Sequence, residues 1–251
     1  MKYSQNPAVL PFLNLKPEPE DFLKDENGTY EVLQSGRLDC PTFIKKMSLF
    51  LKSKNCLIEE SFNQTFLIHK ENQAWGYKNI TAKKIIFCEG YKNIFNSFFN
   101  WIPFTPSRGV VLDIFSNQLN QEKIFKKGIT LIPSGNNIFK AGSTYERDDL
   151  SEASDASGRK ILEEKLKSML KCEYKIERQF AGIRPGTKDR NPVLGRHPLY
   201  KDMYILNGFG SRGVLLAPHF AGILCDFIEQ NVTISKEFDL KRFYKYLKTN
   251  Q

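Results

Sequence analysis

The strongest local constraint on this chain is a glycine-rich turn, Gly208-Phe-Gly-Ser-Arg-Gly213, which joins an apolar strand pattern (203–207) to a long apolar helix pattern that ends near Glu229. Its G-x-G-x-x-G spacing lets the backbone approach a ligand closely, and the N–H groups that open a helix suit an electron-rich group. A dinucleotide-binding domain would need further strands after this helix, with an acidic residue about twenty positions on. The remaining 38 residues end in a basic helix pattern. The sequence therefore argues against a C-terminal Rossmann domain, and a tight turn without a ligand stays an alternative.

Composition places the chain among folded proteins with a substantial core. Hydrophobic residues make up 41% of the 251 residues and aromatic residues 13%, which excludes a disordered chain. The net charge of +9 is spread over short clusters, and this favours a solvated basic surface over a dedicated polyanion site.

The scattered cysteines and histidines argue against metal and disulfide chemistry. The five cysteines form no C-x-x-C pair and the three histidines form no H-x-x-x-H pair, so no metal site is expected. The apolar stretch 214–228 contains Pro218, His219 and Asp226 and is interpreted as too short and too polar to span a bilayer. The first residues lack an apolar signal core, so a cytoplasmic location is expected.

Hydrophobic periodicity predicts a mixed α/β fold. A helix is expected to begin at Pro41, with Phe43, Ile44, Met47 and Leu51 on one face, and another is expected over about 158–171. The apolar run Lys84–Cys88, which stops at Glu89-Gly90, is typical of a strand that is buried on both sides. Short apolar runs between Pro and Gly residues over 102–142 indicate a meandering antiparallel sheet. The tail, 236–251, is expected to form a short helix.

The C-terminal third carries a motif set whose spacing is specific over about 40 residues. It consists of Gly182-Ile-Arg-Pro185, then Thr187-Lys-Asp189, then Pro192-Val-Leu-Gly195, then the strand and the glycine-rich turn. This set resembles the C-terminal region of FAD-dependent amino-acid and amine oxidoreductases of the D-amino-acid oxidase and glycine oxidase family. It also looks like the oxidoreductase domain that matures 5-methylaminomethyl-uridine in tRNA.

The resemblance implies an FAD cofactor and a small amine or amino-acid substrate. It also implies a division of the chain into a partial FAD-binding domain (36–92 and 178–235), an interleaved antiparallel-sheet substrate domain (1–35 and 93–177) and a C-terminal helix (236–251). Members of this family begin with a strand and a G-x-G-x-x-G unit that holds the FAD pyrophosphate, and nothing before residue 40 resembles that unit. A missing N-terminal FAD-binding segment, or a partner chain that supplies it, is therefore expected.

The resemblance also assigns site residues. Arg184 would pair with the substrate carboxylate over the flavin face, because a guanidinium makes two parallel hydrogen bonds to a carboxylate; a structural ion pair is its alternative. Tyr145 would add a hydroxyl or a ring wall to the substrate site, and a buried sheet tyrosine is the alternative there. The loop residues expected to contact the flavin are Gly208, Gly210, Ser211, Arg212, Gly213, Val214 and Leu215; for Arg212, a surface arginine in a turn is equally compatible.

Three functions follow from these patterns. The first is oxidation of a C–N bond in an amino acid or related carboxylate-bearing amine by hydride transfer to flavin. The second is maturation of a carboxymethylaminomethyl group on the wobble uridine of tRNA, which the basic charge supports modestly. The third is a binding or assembly subunit without cofactor chemistry.

Overall fold

The structure is a computed structural model that describes residues 6–70, 74–153 and 156–247. The expected sheet segment over 1–35 is thus described from residue 6, and the expected tail 236–251 is described up to residue 247; the other positions of both ranges lie outside the described residues.

Within these residues the chain forms thirteen strands and three α-helices, together with short 3-10 helices. The strands are β1 (Leu13–Asn14), β2 (Glu31–Val32), β3 (Leu67–His69), β4 (Trp75–Tyr77), β5 (Ile80–Ala82), β6 (Ile85–Phe87), β7 (Ser107–Phe115), β8 (Phe125–Lys127), β9 (Ile129–Pro133), β10 (Ile138–Gly142), β11 (Lys175–Arg184), β12 (Val193–Arg196) and β13 (Met203–Asn207). The helices are α1 (Cys40–Ser53), α2 (Ala156–Met169) and α3 (Gly213–Gln230). The fold is therefore mixed α/β, as the periodicity predicts.

The chain divides into two compact units. The first unit comprises Met1–Leu38, Arg108–Glu146 and Ser151–Gly182; the second comprises Asp39–Ser107, Arg147–Leu150 and Ile183–Gln251. The division differs from the expected one mainly at 93–107, which falls in the second unit, and over short stretches at 36–38, 147–150 and 178–182. Phe99 and Ile102 explain the difference at 93–107, because both are buried with Phe87 and Ile205 in a core of that unit.

The first unit is built on a five-stranded sheet in the order β11-β7-β10-β9-β8. The pairs β7/β10, β10/β9 and β9/β8 are antiparallel, as the Pro- and Gly-punctuated pattern predicts. Alternate residues of β7 (Val110, Leu112 and Ile114) point into a core that also contains Leu162 and Leu166 of α2. The apolar stripe of α2 therefore covers one face of the sheet.

The second unit contains a three-stranded sheet in the order β12-β13-β6 and a β3-β4-β5 meander. β13 is antiparallel to β12 and parallel to β6. Val193, Met203 and Ile205 of the sheet pack in a core with the 3-10 helix Leu240–Tyr246, which replaces the short helix that we expected from the tail pattern.

Two apolar surfaces of the second unit are more open than the sequence predicts. β6 lies at the edge of its sheet with β13 as its neighbour, and its Ile86 is 45% exposed, so the prediction of a strand buried on both sides is wrong. α1 begins as predicted, with Asp39 accepting the Thr42 N–H at 3.2 Å and Pro41 in the first turn. Its apolar face, Phe43, Ile44 and Met47, is nevertheless exposed.

Among the described residues, one helical segment, Gly210–Gln230, passes a test of length and composition for crossing a membrane. This finding differs from the expectation drawn from 214–228, because the structure extends the helix at both ends. A core helix of a soluble protein passes the same test.

Candidate functional site

The candidate site lies in the second unit, where the carboxyl ends of two parallel strands meet. β6 and β13 pair in register with Met203 opposite Ile85, so both strands end at the same edge of the sheet. The side chain of Asn207 joins the two loops that follow: its Nδ2 donates to the Gly90 carbonyl at 2.8 Å, and its Oδ1 accepts the Gly208 N–H at 2.8 Å. In open α/β sheets, ligands bind beyond the carboxyl ends of the strands.

The first two glycines of the turn have different roles. Gly208 has φ +81°, and an added Cβ would lie 2.7 Å from Cγ2 of Thr187, so close packing requires glycine there. Gly210 also has a positive φ, +57°, but an added Cβ would meet no described atom within 4 Å. The backbone at Gly210 therefore borders open space that a ligand can occupy.

The start of α3 adds polar and apolar contacts to that space. No side chain caps the helix, which begins at Gly213, and its first turn contains no acidic residue. The positive end of the helix dipole is thus available to an electron-rich group. Val214 is 58% exposed and Leu215 is 77% exposed. An apolar surface beside the positive end of a helix fits a planar aromatic ring with an electron-rich edge, as a flavin has.

Backbone hydrogen bonds bring the Arg184 segment against this turn. Arg184 is the last residue of β11, and the carbonyl of Pro185 accepts the Gly210 N–H at 2.9 Å. Gly186 forms a β-bridge with Phe209. The structure thus places two separate sequence motifs, G-x-R-P and the glycine-rich turn, side by side.

Arg212 is anchored by its side chain, although it remains exposed. Its Nη2 donates to the Arg190 carbonyl at 2.6 Å, which ties the glycine-rich turn to the loop 187–192. Ser211 is exposed beside it. The contact agrees with an arginine in a turn; a role toward flavin or substrate stays a prediction.

The T-x-D motif, Thr187-Lys-Asp189, forms a turn that is held by hydrogen bonds. The Thr187 hydroxyl lies 2.9 Å from Asp189 Oδ1 and 2.6 Å from the Asn191 carbonyl oxygen. Arg242 Nε donates to Asp189 Oδ2 at 2.7 Å. Partial burial of Asp189 opposes its ionisation, but hydrogen bonds from Arg242, the Asn191 N–H and Thr187 outweigh it and lower the pKa of this carboxyl. The motif therefore stabilises the turn against the 3-10 helix Leu240–Tyr246.

Tyr145 belongs to the first unit and follows β10. Its neighbours are held in place: the Thr144 hydroxyl oxygen accepts the Val110 N–H at 2.9 Å, and Glu146 pairs with the fully buried Arg108 at 2.8 Å. The ring of Tyr145 itself is 62% exposed. The alternative of a buried sheet tyrosine is therefore wrong, and the side chain is accessible to a ligand.

Sequence reasoning missed Gly90 and Asn207 as members of this edge. Gly90 has φ +61° and, like Gly210, open space where a Cβ would be. The sequence contains a signal for Gly90, because this glycine comes shortly after the apolar run that becomes β6, where a loop at the carboxyl end of the strand is expected. Asn207 is a polar residue at the end of an apolar strand. It can be buried because both polar atoms of its side-chain amide, Nδ2 and Oδ1, are hydrogen-bonded.

Comparison with known proteins gives consistent matches. The family profile described as FAD dependent oxidoreductase matches residues 13–227. Glycine oxidase from Bacillus subtilis (strain 168) is 27% identical over 201 residues, which cover 75% of this chain and 53% of that protein. The chain thus spans about half the length of this curated relative.

Solved structures show the same fold. The chain is similar to iminodiacetate oxidase from Chelativorans sp. BNC1, with a TM-score of 0.74 and 15% identity over 94% of this chain and 65% of that one. It is also similar to glycine oxidase from Geobacillus kaustophilus, with a TM-score of 0.71 and 21% identity over 86% of this chain and 60% of that one.

Proposed function

The chain belongs to the FAD-dependent oxidoreductase family, and we propose that it supplies the flavin-facing and substrate-binding regions of an enzyme that oxidises a C–N bond of a carboxylate-bearing amine. The observation that carries the proposal is the hydrogen bond between Gly210 N–H and the Pro185 carbonyl. It holds Arg184, a carboxylate-binding type of side chain, beside a turn whose open backbone and apolar rim fit a flavin.

FAD, when bound, supplies a two-electron acceptor for the hydride that leaves the substrate carbon. The residues proposed to hold its ring are Gly208, Gly210, Ser211, Arg212, Gly213, Val214 and Leu215. The helix N–H groups of α3 would stabilise negative charge on the ring edge that faces them. Val214 and Leu215 would exclude water from the adjacent ring surface, because both are apolar and exposed.

Arg184 and Tyr145 are proposed to bind the substrate. The planar guanidinium of Arg184 would form two parallel hydrogen bonds with the substrate carboxylate and so orient the α-hydrogen. Tyr145 would contribute its exposed ring or hydroxyl to the wall of the substrate site. Glycine and iminodiacetate, which the names of the similar oxidases give as substrates, are the first candidates.

We propose that a nucleotide-binding segment completes the FAD site, either on the same polypeptide or on a partner chain. The exposed edge of β6 and the apolar face of α1 support this. Parallel strands are normally covered on both faces, and Ile86 is 45% exposed. In this proposal, residues 36–92 and 178–235 form the flavin-binding region, residues 1–35 and 93–177 form the substrate-binding region, and the enzyme acts in the cytoplasm.

Anaerobic reduction of the flavin tests the function in the complete, FAD-loaded protein. Glycine and iminodiacetate are added separately, and methylamine, an amine without a carboxylate, serves as the matched ligand control. We expect a carboxylate-bearing amine to bleach the flavin absorbance while methylamine does not. A protein that never retains flavin, even with the nucleotide-binding segment present, would contradict the proposal and favour a non-catalytic assembly subunit.

A further inference from the structure

The positive charge of the chain is concentrated in the second unit. That unit contains 21 Lys and Arg residues against 13 Asp and Glu residues, a net charge of +8, whereas the first unit contains 16 against 15. A charge of this size on one unit creates a field that attracts anionic partners.

One surface combines some of this charge with an aromatic ring, Tyr246, that is partly buried against the core of the unit. The turn 187–192 packs against the 3-10 helix Leu240–Tyr246, since Arg242 donates to the Asn191 and Pro192 carbonyls at 3.2 and 3.0 Å. Lys188 of the turn lies with Nζ 5.9 Å from the ring centroid of Tyr246, and Lys245 lies with Nζ 5.3 Å from the same centroid. We call Lys188, Lys245 and Tyr246, together with Arg190 two residues further along the same turn, the basic aromatic surface.

The cations of this surface are available to a ligand. Lys188, Arg190 and Lys245 are exposed, and none of them forms an ion pair with a carboxylate among the residues that the structure describes. The two carboxylates nearby are already engaged: Asp189 pairs with Arg242 at 2.7 Å, and Asp239 lies 3.7 Å from Lys241 and accepts its backbone N–H. The surface therefore offers uncompensated positive charge.

We propose that the basic aromatic surface binds single-stranded RNA, with phosphates on the three cations and a base stacked on Tyr246. Aromatic side chains flanked by Lys and Arg are the arrangement that holds an unpaired strand, because every base has a face that can stack. A membrane fits less well, since the large apolar side chains of this 3-10 helix, Leu240 and Phe243, are buried and leave nothing to insert. RNA binding at this surface does not require flavin, so an absence of RNA binding would not affect the proposed oxidoreductase function.

Fluorescence anisotropy with a labelled 12-nucleotide RNA of mixed sequence tests the charge contribution. The triple variant Lys188→Gln, Arg190→Gln, Lys245→Gln is compared with a control of equal charge, Lys126→Gln, Lys160→Gln, Lys171→Gln, on exposed lysines of the first unit. We expect the first triple variant to bind at least tenfold more weakly and the slope of log K against log salt to fall by about 2, since each phosphate on a single strand contributes about 0.7. The control should stay within twofold of the wild type.

Tyr246→Leu and Tyr246→Phe test stacking with the same RNA, and heparin serves as a polyanion without bases. Loss of the ring in the Leu variant should weaken RNA binding about tenfold while leaving heparin binding little changed, and the Phe variant should retain both. Equal RNA binding by the two triple variants would overturn the proposal. So would binding of phosphatidylglycerol vesicles without binding of RNA, or indistinguishable behaviour of the Leu and Phe variants.

Discussion

At the scale of single residues, packing within the fold requires glycine at position 208, whereas Gly210 borders the space proposed for the ligand. A Cβ at Gly208 would collide with Thr187, whereas a Cβ at Gly210 would enter open space. Both residues have positive φ, so any replacement carries the backbone strain of about 1–2 kcal/mol that non-glycine residues experience in that region. The consequences for packing and for flavin should therefore differ between the two positions.

We predict that Gly208→Ala lowers the free energy of unfolding by about 3 kcal/mol, the strain and the collision together. Gly210→Ala should cost only the strain, about 1–2 kcal/mol. Gly210→Val should in addition block flavin binding, because its side chain fills the space beside the backbone. Urea unfolding and flavin titration measure the two effects; equal stability loss at both positions would contradict the assignment.

Arg184 supports a prediction about substrate affinity. In the complete, active protein, Arg184→Ala should raise KM for a carboxylate-bearing amine on the order of a hundredfold, since a desolvated charge pair is worth several kcal/mol. Arg184→Lys keeps one charge but loses the fork and should lie in between. Steady-state kinetics measure the effect, and unchanged KM in the Ala variant would remove Arg184 from the site.

His197 makes stability sensitive to pH. Burial lowers the pKa of this imidazole, although its hydrogen bond from Nε2 to the Phe98 carbonyl at 2.9 Å favours the protonated form. Because the pKa in the folded state lies below the unfolded value, the stabilising contribution is complete above the ordinary histidine pKa and is lost as pH falls through the folded value.

Wild-type stability should therefore fall between about pH 7 and pH 5 more steeply than that of His197→Gln. At the higher pH the variant should be less stable by about 1–3 kcal/mol, because the N–H of Leu199, which donates to Nδ1 at 3.1 Å, loses its partner. Urea unfolding at both pH values makes the comparison. Parallel pH profiles for the two proteins would contradict this account of His197.

At the scale of elements, the sequence predicted those whose side chains repeat with a clear period. The apolar stripe of α2 and the alternating residues of β7 appear in the structure where the pattern places them. The prediction for β6 failed because an apolar run shows that a strand exists, but not which of its faces other elements cover. In the tail, the described part of the expected helix is a 3-10 helix, Leu240–Tyr246, in which Leu240 and Phe243 pack against the core beside β12.

The link between the turn 187–191 and the 3-10 helix gives a prediction at this scale. Asp189→Asn removes the charge that Arg242 binds, and we expect a loss of about 1 kcal/mol, discounted because the carboxylate is partly exposed. The pKa of Asp189 is lowered in the folded state, so this contribution is present above the unfolded value and lost as pH falls through the folded one. Thermal unfolding of the wild type and Asp189→Asn should therefore converge in acid; a constant difference would contradict the ion pair.

At the scale of the whole molecule, the motifs predicted the family and the cofactor class. The arrangement of the candidate site could not be predicted from the sequence and required the structure. The hydrogen bond from Gly210 to Pro185 and the joining of Gly90 to Gly208 through Asn207 connect segments that are far apart in sequence. No local pattern encodes such contacts, because they depend on the parallel pairing of β6 with β13.

Flavin binding at the glycine-rich turn is the central claim, and an equilibrium titration of FAD fluorescence tests it most directly. FAD is titrated with the complete wild-type protein, which includes the nucleotide-binding segment, and with the same protein carrying Gly210→Val or, as a control for strain, Gly210→Ala. We predict that the wild type quenches the flavin fluorescence saturably, that Gly210→Ala does so with reduced affinity, and that Gly210→Val does not. Absence of quenching by the wild type, or equal quenching by wild type and Gly210→Val, would contradict the placement of the flavin at this turn.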